Sequence, residues 1–219
     1  MKKIQVHILF FLVIFFIDNN LIAQSVMNNI PNNGQSITAF IPKDYTIIDS
    51  VGADFNDDKL RDIALLVQGE ITQYDNGKPY YTKDDILIIL FLQTDKTYKL
   101  SLKKSSNVSD SDVPADIKDV GKRNNMLKLV YELGTYPYSS TNSYFFRYQN
   151  KDWFLIGYLN EVDKGKKIIG EDYNLLNGSV EKYSMVKNKK TILSKYKIKI
   201  QPLKKLMNVN PWNFEIKND

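Results

Sequence analysis

From about residue 36 onward the chain alternates short β-type runs with turn residues, and it nowhere sustains the 3.6-residue apolar period of an amphipathic helix. The strongest strand candidates are Asp62–Gln68, Asp85–Gln93, Leu127–Leu133, Ser143–Tyr148, Trp153–Leu159, Ser179–Val186 and Lys195–Gln201. Most are rich in Ile, Val, Tyr, Phe or Thr, which pack well on a pleated surface. Between them, Asp75-Asn76-Gly77, Gln149-Asn150-Lys151-Asp152 and Asn177-Gly178 provide the chemistry of hairpin turns.

Two runs carry more information than the rest. Ile86 to Leu92 is apolar at every position, the pattern of a strand buried on both faces. Tyr196, Ile198 and Ile200 alternate with Lys195, Lys197, Lys199 and Gln201, which places lysine on an exposed face and suits a sheet edge. Helix is expected only as short turns, at Val113–Val120 and Leu203–Asn208, and Ser105–Asn125 reads as a long charged loop. The pattern therefore predicts a mainly β fold: an antiparallel β-sandwich or strongly curved sheet of about nine to eleven strands with short helical turns. No internal repeat is visible.

The start of the chain has a different pattern. Lys2 and Lys3 precede an unbroken apolar run from Ile8 to Ile17, and Leu21-Ile22-Ala23 ends in a small residue. This is the layout of a secretory signal, expected to span residues 1–23 with cleavage at Ala23. As a helix the apolar run reaches only about 15 Å, half a hydrocarbon core, so no transmembrane anchor is expected after cleavage. Residues 24–35 are polar and read as a flexible lead-in, leaving 36–219 as a single β-rich domain.

Composition then narrows the chemistry. The chain has 219 residues, no cysteine and one histidine, His7, which falls inside the signal. The exported protein would thus lack disulfides, thiolate or imidazole metal ligands, cysteine nucleophiles and every histidine-dependent triad. Loss of Lys2, Lys3 and Asp18 lowers the formal net charge from +5 to +4. The lysines are scattered or in pairs such as Lys103-Lys104, so no dense basic footprint for nucleic acid is present.

One segment has chemistry in its spacing. In Asp54-Phe55-Asn56-Asp57-Asp58-Lys59-Leu60-Arg61-Asp62, oxygen-bearing side chains stand at loop positions one, three, five and nine. Calcium takes six to eight oxygens, and such alternation can turn Asp54, Asn56, Asp58 and Asp62 inward while the Leu60 carbonyl completes the cage. The twelfth position is Leu65 rather than Glu, which excludes an EF-hand. The alternative is a plain Asp/Asn turn joining two strands.

This loop resembles the calcium loop of integrin-type FG-GAP and VCBS repeats, Asp-x-Asn-x-Asp-Gly-x-x-Asp followed by an apolar strand. Together with Phe40-Ile41-Pro42, Tyr144-Phe145-Phe146-Arg147-Tyr148-Gln149-Asn150-Lys151-Asp152 and Asn174-Leu175-Leu176-Asn177-Gly178, it is also similar to a group of uncharacterised exported bacterial proteins. The resemblance spans most of residues 36–207 and implies a calcium site but no activity. Lys59 replaces the glycine of the pattern, at a turn whose backbone conformation is costly for a residue with a Cβ. A single acidic loop cannot build the several blades of a propeller, so a full propeller is not expected.

Other candidates have bland alternatives beside the functional ones. Asp110, Asp112 and Asp116 could hold an ion or stay solvated, and Asp84 and Asp85 suit a strand-entry turn. Tyr136, Tyr138, Tyr144, Phe146, Tyr148 and Trp153 could form a ligand platform or pack as core. The expectation is an exported periplasmic or extracellular protein, a non-enzymatic binding or structural module with calcium as the implied cofactor and an envelope protein or glycan as partner. Two alternatives remain open: an inhibitor or immunity protein against an envelope hydrolase, and a glycoside or peptidoglycan hydrolase that uses two carboxylates.

Overall fold

A computed structural model of the chain describes residues 26–75, 78–105, 117–123, 125–133, 140–210 and 216. Among them are twelve strands: β1 Asn33–Gly34, β2 Thr46–Ala53, β3 Asp62–Asp75, β4 Lys78–Leu92, β5 Tyr98–Ser105, β6 Ile117–Arg123, β7 Met126–Leu133, β8 Ser140–Gln149, β9 Asp152–Asp163, β10 Ile168–Asn174, β11 Ser179–Val186 and β12 Lys189–Lys197. They form two antiparallel sheets, ordered β1-β5-β4-β3-β2 and β12-β11-β10-β9-β8-β7-β6. Almost every strand pairs with its neighbour in sequence, so tight turns suffice as connections. At Asn150-Lys151 both turn residues take positive φ, 51° and 62°, and at Lys187-Asn188 the values are 47° and 62°. This is the primed geometry that matches strand twist. The Asn76-Gly77 turn lies outside the described residues.

The sandwich core lies between the sheets. Leu87, Ile89 and Phe91 of β4 meet Leu127, Leu129, Tyr144, Phe146, Trp153 and Leu155 of the larger sheet. The alternate residues Ile86, Ile88 and Leu90 face the other way, into a second cluster with Ile30, Phe40, Leu65 and Val67. β4 is thus covered on both faces, as its unbroken apolar run requires. The cover on its outer face is residues 26–45: the lead-in read as flexible lies on the sheet from Val26 onward, with Ile30 and Phe40 buried.

Two adjacent lysines of β5 tie residues 27–30 and 206–209 to opposite faces of the smaller sheet. The Lys103 ammonium donates to the carbonyls of Met27 at 2.6 Å and Ile30 at 3.2 Å. The Lys104 ammonium donates to those of Leu206 at 2.9 Å and Val209 at 2.7 Å. Burial pushes the Lys104 ammonium down to about 8. Nothing in the sequence distinguishes this pair from the other paired lysines.

Several expected boundaries differ. Residues 117–120, read as helix, begin β6, and the loop expected over Ser105–Asn125 therefore contains a strand. Ladder bonds to β7 hold this charged segment extended, because tertiary pairing outweighs local preference. β2, β5 and β10 lie outside the strongest runs of the sequence because polar residues interrupt them. The lysine-alternating edge strand occupies Lys189–Lys197 rather than Lys195–Gln201, although it is the edge of its sheet as expected. The C-terminal helical turn shortens to a 3-10 turn at Leu206–Asn208. No helix among the described residues is long and apolar enough to cross a membrane.

Candidate functional site

The acidic loop joins β2 to β3 and is anchored by Phe55, which is buried and meets Trp153 edge-on at 5.6 Å between ring centroids. Its polar side chains turn toward its own backbone. Asp54 accepts from the amides of Asp58 at 3.1 Å and Lys59 at 2.9 Å. Asn56 accepts from the Asp58 amide at 3.1 Å, and Asp58 from the Leu60 amide at 2.8 Å. The Asn56 side-chain amide donates to the second Asp58 oxygen at 2.9 Å. Lys59 takes φ 70° and Asp57 φ 62°, so the turn that glycine would make easily is made here by a lysine and an aspartate.

Asp62 stands apart from the others. It is fully buried, and its two oxygens accept from the Phe55 amide at 2.9 Å and the Leu92 amide at 3.1 Å, tying the loop to the end of β4. Burial pushes its carboxyl up to about 6; the two amide bonds oppose this, and the charges of Asp58 and Asp54 add to it. Asp54, Asn56 and Asp58 are therefore gathered around consecutive amides, with Leu60 next in line and Asp62 turned into the sheet. Among the described residues no three acidic side chains stand together in an arrangement that holds a metal.

The aromatic group resolves in favour of packing. Tyr144, Phe146 and Trp153 are almost completely buried, and Tyr148 packs on them with its ring centroid 4.8 Å from that of Phe91. The Trp153 indole N–H donates to Ser101 Oγ at 3.0 Å. Tyr136 and Tyr138 lie outside the described residues, as do Asp110, Asp112 and Asp116. Asp84 and Asp85 sit within β4, not at its entry, because β4 already begins at Lys78. Both are buried; Asp84 accepts from the hydroxyls of Tyr45 and Ser105, and Asp85 from the Gln68 amide at 2.8 Å.

A pronounced concavity lies elsewhere, on the face of the seven-stranded sheet that points away from the sandwich core. Each of two bulges adds one residue to a strand: Ile156 between the pairs Phe145↔Gly157 and Phe146↔Leu155, and Leu193 between Lys182↔Ser194 and Tyr183↔Ile192. Bulges bend a sheet and raise its twist. The result is a groove of ≈ 780 Å³ running from Met126 on β7 to Lys197 on β12.

Strand register explains its lining. Phe145, Gly157, Asn174, Ser179 and Lys197 are paired successively across five strands, and Leu159, Asp172, Glu181 and Lys195 form the adjacent row. Gly157 keeps the centre of the floor low; a Cβ there would lie 3.3 Å from the Phe145 ring. Phe145 and Ile156 form the apolar floor, while Arg147 stands at one rim and Lys190, Lys195 and Lys197 at the other. Lys190 and Lys195 pair with Glu181 at 2.6 and 2.9 Å. They hold its carboxyl below the usual range.

This groove has no local signature in the sequence. Its residues come from six strands, and its lysines carry the same alternation as a solvated edge. The available signal was the coincidence of a bulge residue, Ile156, with Gly157 in an otherwise apolar strand. Comparison of the chain with protein-family models, with curated proteins and with solved structures finds no match.

Proposed function

We propose that this chain is an exported, non-enzymatic binding module whose ligand lies in the groove of the seven-stranded sheet. The observation that supports it is the groove itself: ≈ 780 Å³, built on six paired strands, with an apolar floor and polar groups of both signs around it. Its volume falls within the roughly 300–1,000 Å³ of small-ligand sites, and its walls are held by ladders rather than loops. The two groove carboxylates, Asp172 and Glu181, face each other across β10 and β11. The test is amide chemical-shift mapping of the protein titrated with soluble envelope fragments. Shifts centred on the row from Phe145 to Lys197 support the reading; shifts confined to other faces refute it.

A second reading concerns the loop from Asp54 to Asp62, where we propose a calcium ion that stiffens the β2–β3 connection. What favours it is Lys59 at φ 70°, since the turn made by glycine in the resembling loops is retained. Asp54, Asn56, Asp58 and the Leu60 carbonyl would supply oxygens, all hard donors of the kind calcium takes, and Asp62 would join them by turning from the Phe55 and Leu92 amides. Bound calcium would offset the repulsion among the carboxylates. Calorimetric titration of the wild type and of Asp58→Ala tests this reading. Heat and a raised thermal midpoint in the wild type alone are expected; neither in the wild type refutes it.

A further inference from the structure

We propose that the groove of the seven-stranded sheet binds a short acidic oligosaccharide, with its hydroxyls along the polar middle of the groove and carboxylates at Arg147 and Lys197. The inference rests on the reading of this face as a binding site and names its ligand class. The lining holds four cations, Arg147, Lys190, Lys195 and Lys197, against two acids, Asp172 and Glu181. Glu181 already pairs with two of the lysines, so the remaining field is positive and selects an anion.

The cations stand on both rims. Arg147 is on β8 and the lysines are on β12, four strand spacings away, which is about 19 Å along the sheet. One carboxylate cannot serve both rims, whereas a linear ligand with repeated charges can.

Asp172, Asn174 and Ser179 occupy the middle of the groove. A hydroxyl can donate to the Asp172 carboxylate, accept from the Asn174 side-chain amide and do either with Ser179, so a polyhydroxylated ligand replaces the water it displaces. An alkyl chain would desolvate a carboxylate with nothing in return. An extended peptide is also a poor match, because the groove lies on the face of a sheet whose backbone groups are committed to ladders. A peptide main chain would lose its hydrogen bonds to water there, whereas a sheet edge would restore them. A sugar has no backbone amides to satisfy.

The experiment is calorimetric titration of the full chain with tetragalacturonate, neutral maltotetraose, tetraglutamate and decanoate at physiological salt. Saturable 1:1 binding of tetragalacturonate and none of maltotetraose is expected. The Arg147→Glu/Lys197→Glu double variant should weaken it by about tenfold or more, with circular dichroism and thermal midpoint unchanged. Gly157→Leu, which raises the floor, should also abolish binding; the charge variant carries the test should that protein fail to fold. Absence of tetragalacturonate binding, equal binding of tetraglutamate, or insensitivity to the rim variant overturns the proposal. Binding of tetraglutamate or decanoate alone, lost in the rim variant, overturns the ligand class while leaving the groove as a binding site. Silence with all four probes, together with no groove shifts from envelope fragments, removes both.

Discussion

Replacing the buried carboxylate that joins the acidic loop to β4 isolates the electrostatics of the loop. Asp62 is fully buried and accepts from two backbone amides, and its carboxyl is raised from 3.8 to about 6. Between those values the folded chain holds a proton that the unfolded chain has released, so acidification favours folding through this group. Its contribution is near zero at pH 7 and grows to about 2 kcal/mol by pH 4.5. Asp62→Asn keeps the shape but does not titrate. At neutral pH it removes a buried charge and also turns an N–H₂ toward a backbone N–H, two effects that oppose each other at about 1–3 kcal/mol each. The informative quantity is therefore the wild-type stability minus that of the variant, measured by urea unfolding in chelator-treated buffer from pH 7 to pH 4.5. It should rise by about 2 kcal/mol toward low pH, while carboxylates common to both proteins cancel. A difference that stays flat would refute the assignment of a raised carboxyl to Asp62. With calcium present, an ion held by Asp62 would keep the carboxylate ionised and flatten the same curve.

Three further perturbations test the frame around the groove and the termini. Lys104→Met leaves the carbonyls of Leu206 and Val209 without their charged donor and should cost about 2–3 kcal/mol in urea unfolding. Because the folded-state value of Lys104 lies near 8, below that of an unfolded lysine, the wild type should gain on this variant as pH rises from 7 to 9.5; a constant gap would contradict the burial of the ammonium. Phe40→Ala should destabilise by about 3–5 kcal/mol, since Phe40 is completely buried on the outer face of the smaller sheet; a loss under 1 kcal/mol would mean that residues 26–45 do not cover that face. Gly170→Ala would place a Cβ 2.3 Å from the Tyr183 ring, which is buried and hydrogen-bonded to Glu161, and the thermal midpoint should fall by several degrees.

The sequence by itself determined the class of fold and much of the local geometry. Period-two runs of Ile, Val, Tyr and Phe separated by Asn, Asp and Gly admit little but antiparallel strands, and the unbroken run Ile86–Leu92 required cover on both faces, which the two clusters around β4 provide. Turn chemistry is local too, so the hairpin at Asn150-Lys151 was legible from four residues, and the acidic loop from nine. Tertiary structure decided what charge does. The same lysine spacing is compatible with a solvated edge, a rim or a clamp, because charge does not encode its partner: Lys104 holds the carbonyls of Leu206 and Val209, and Lys195 meets Glu181. β6 and β10 needed neighbouring strands to exist, since polar residues give no local preference strong enough to fix them. The groove needed all of this at once. Gly157 and Lys197 are 40 positions apart in sequence and three strands apart in the sheet, and only the accumulated register of β9 to β12 puts them in one row.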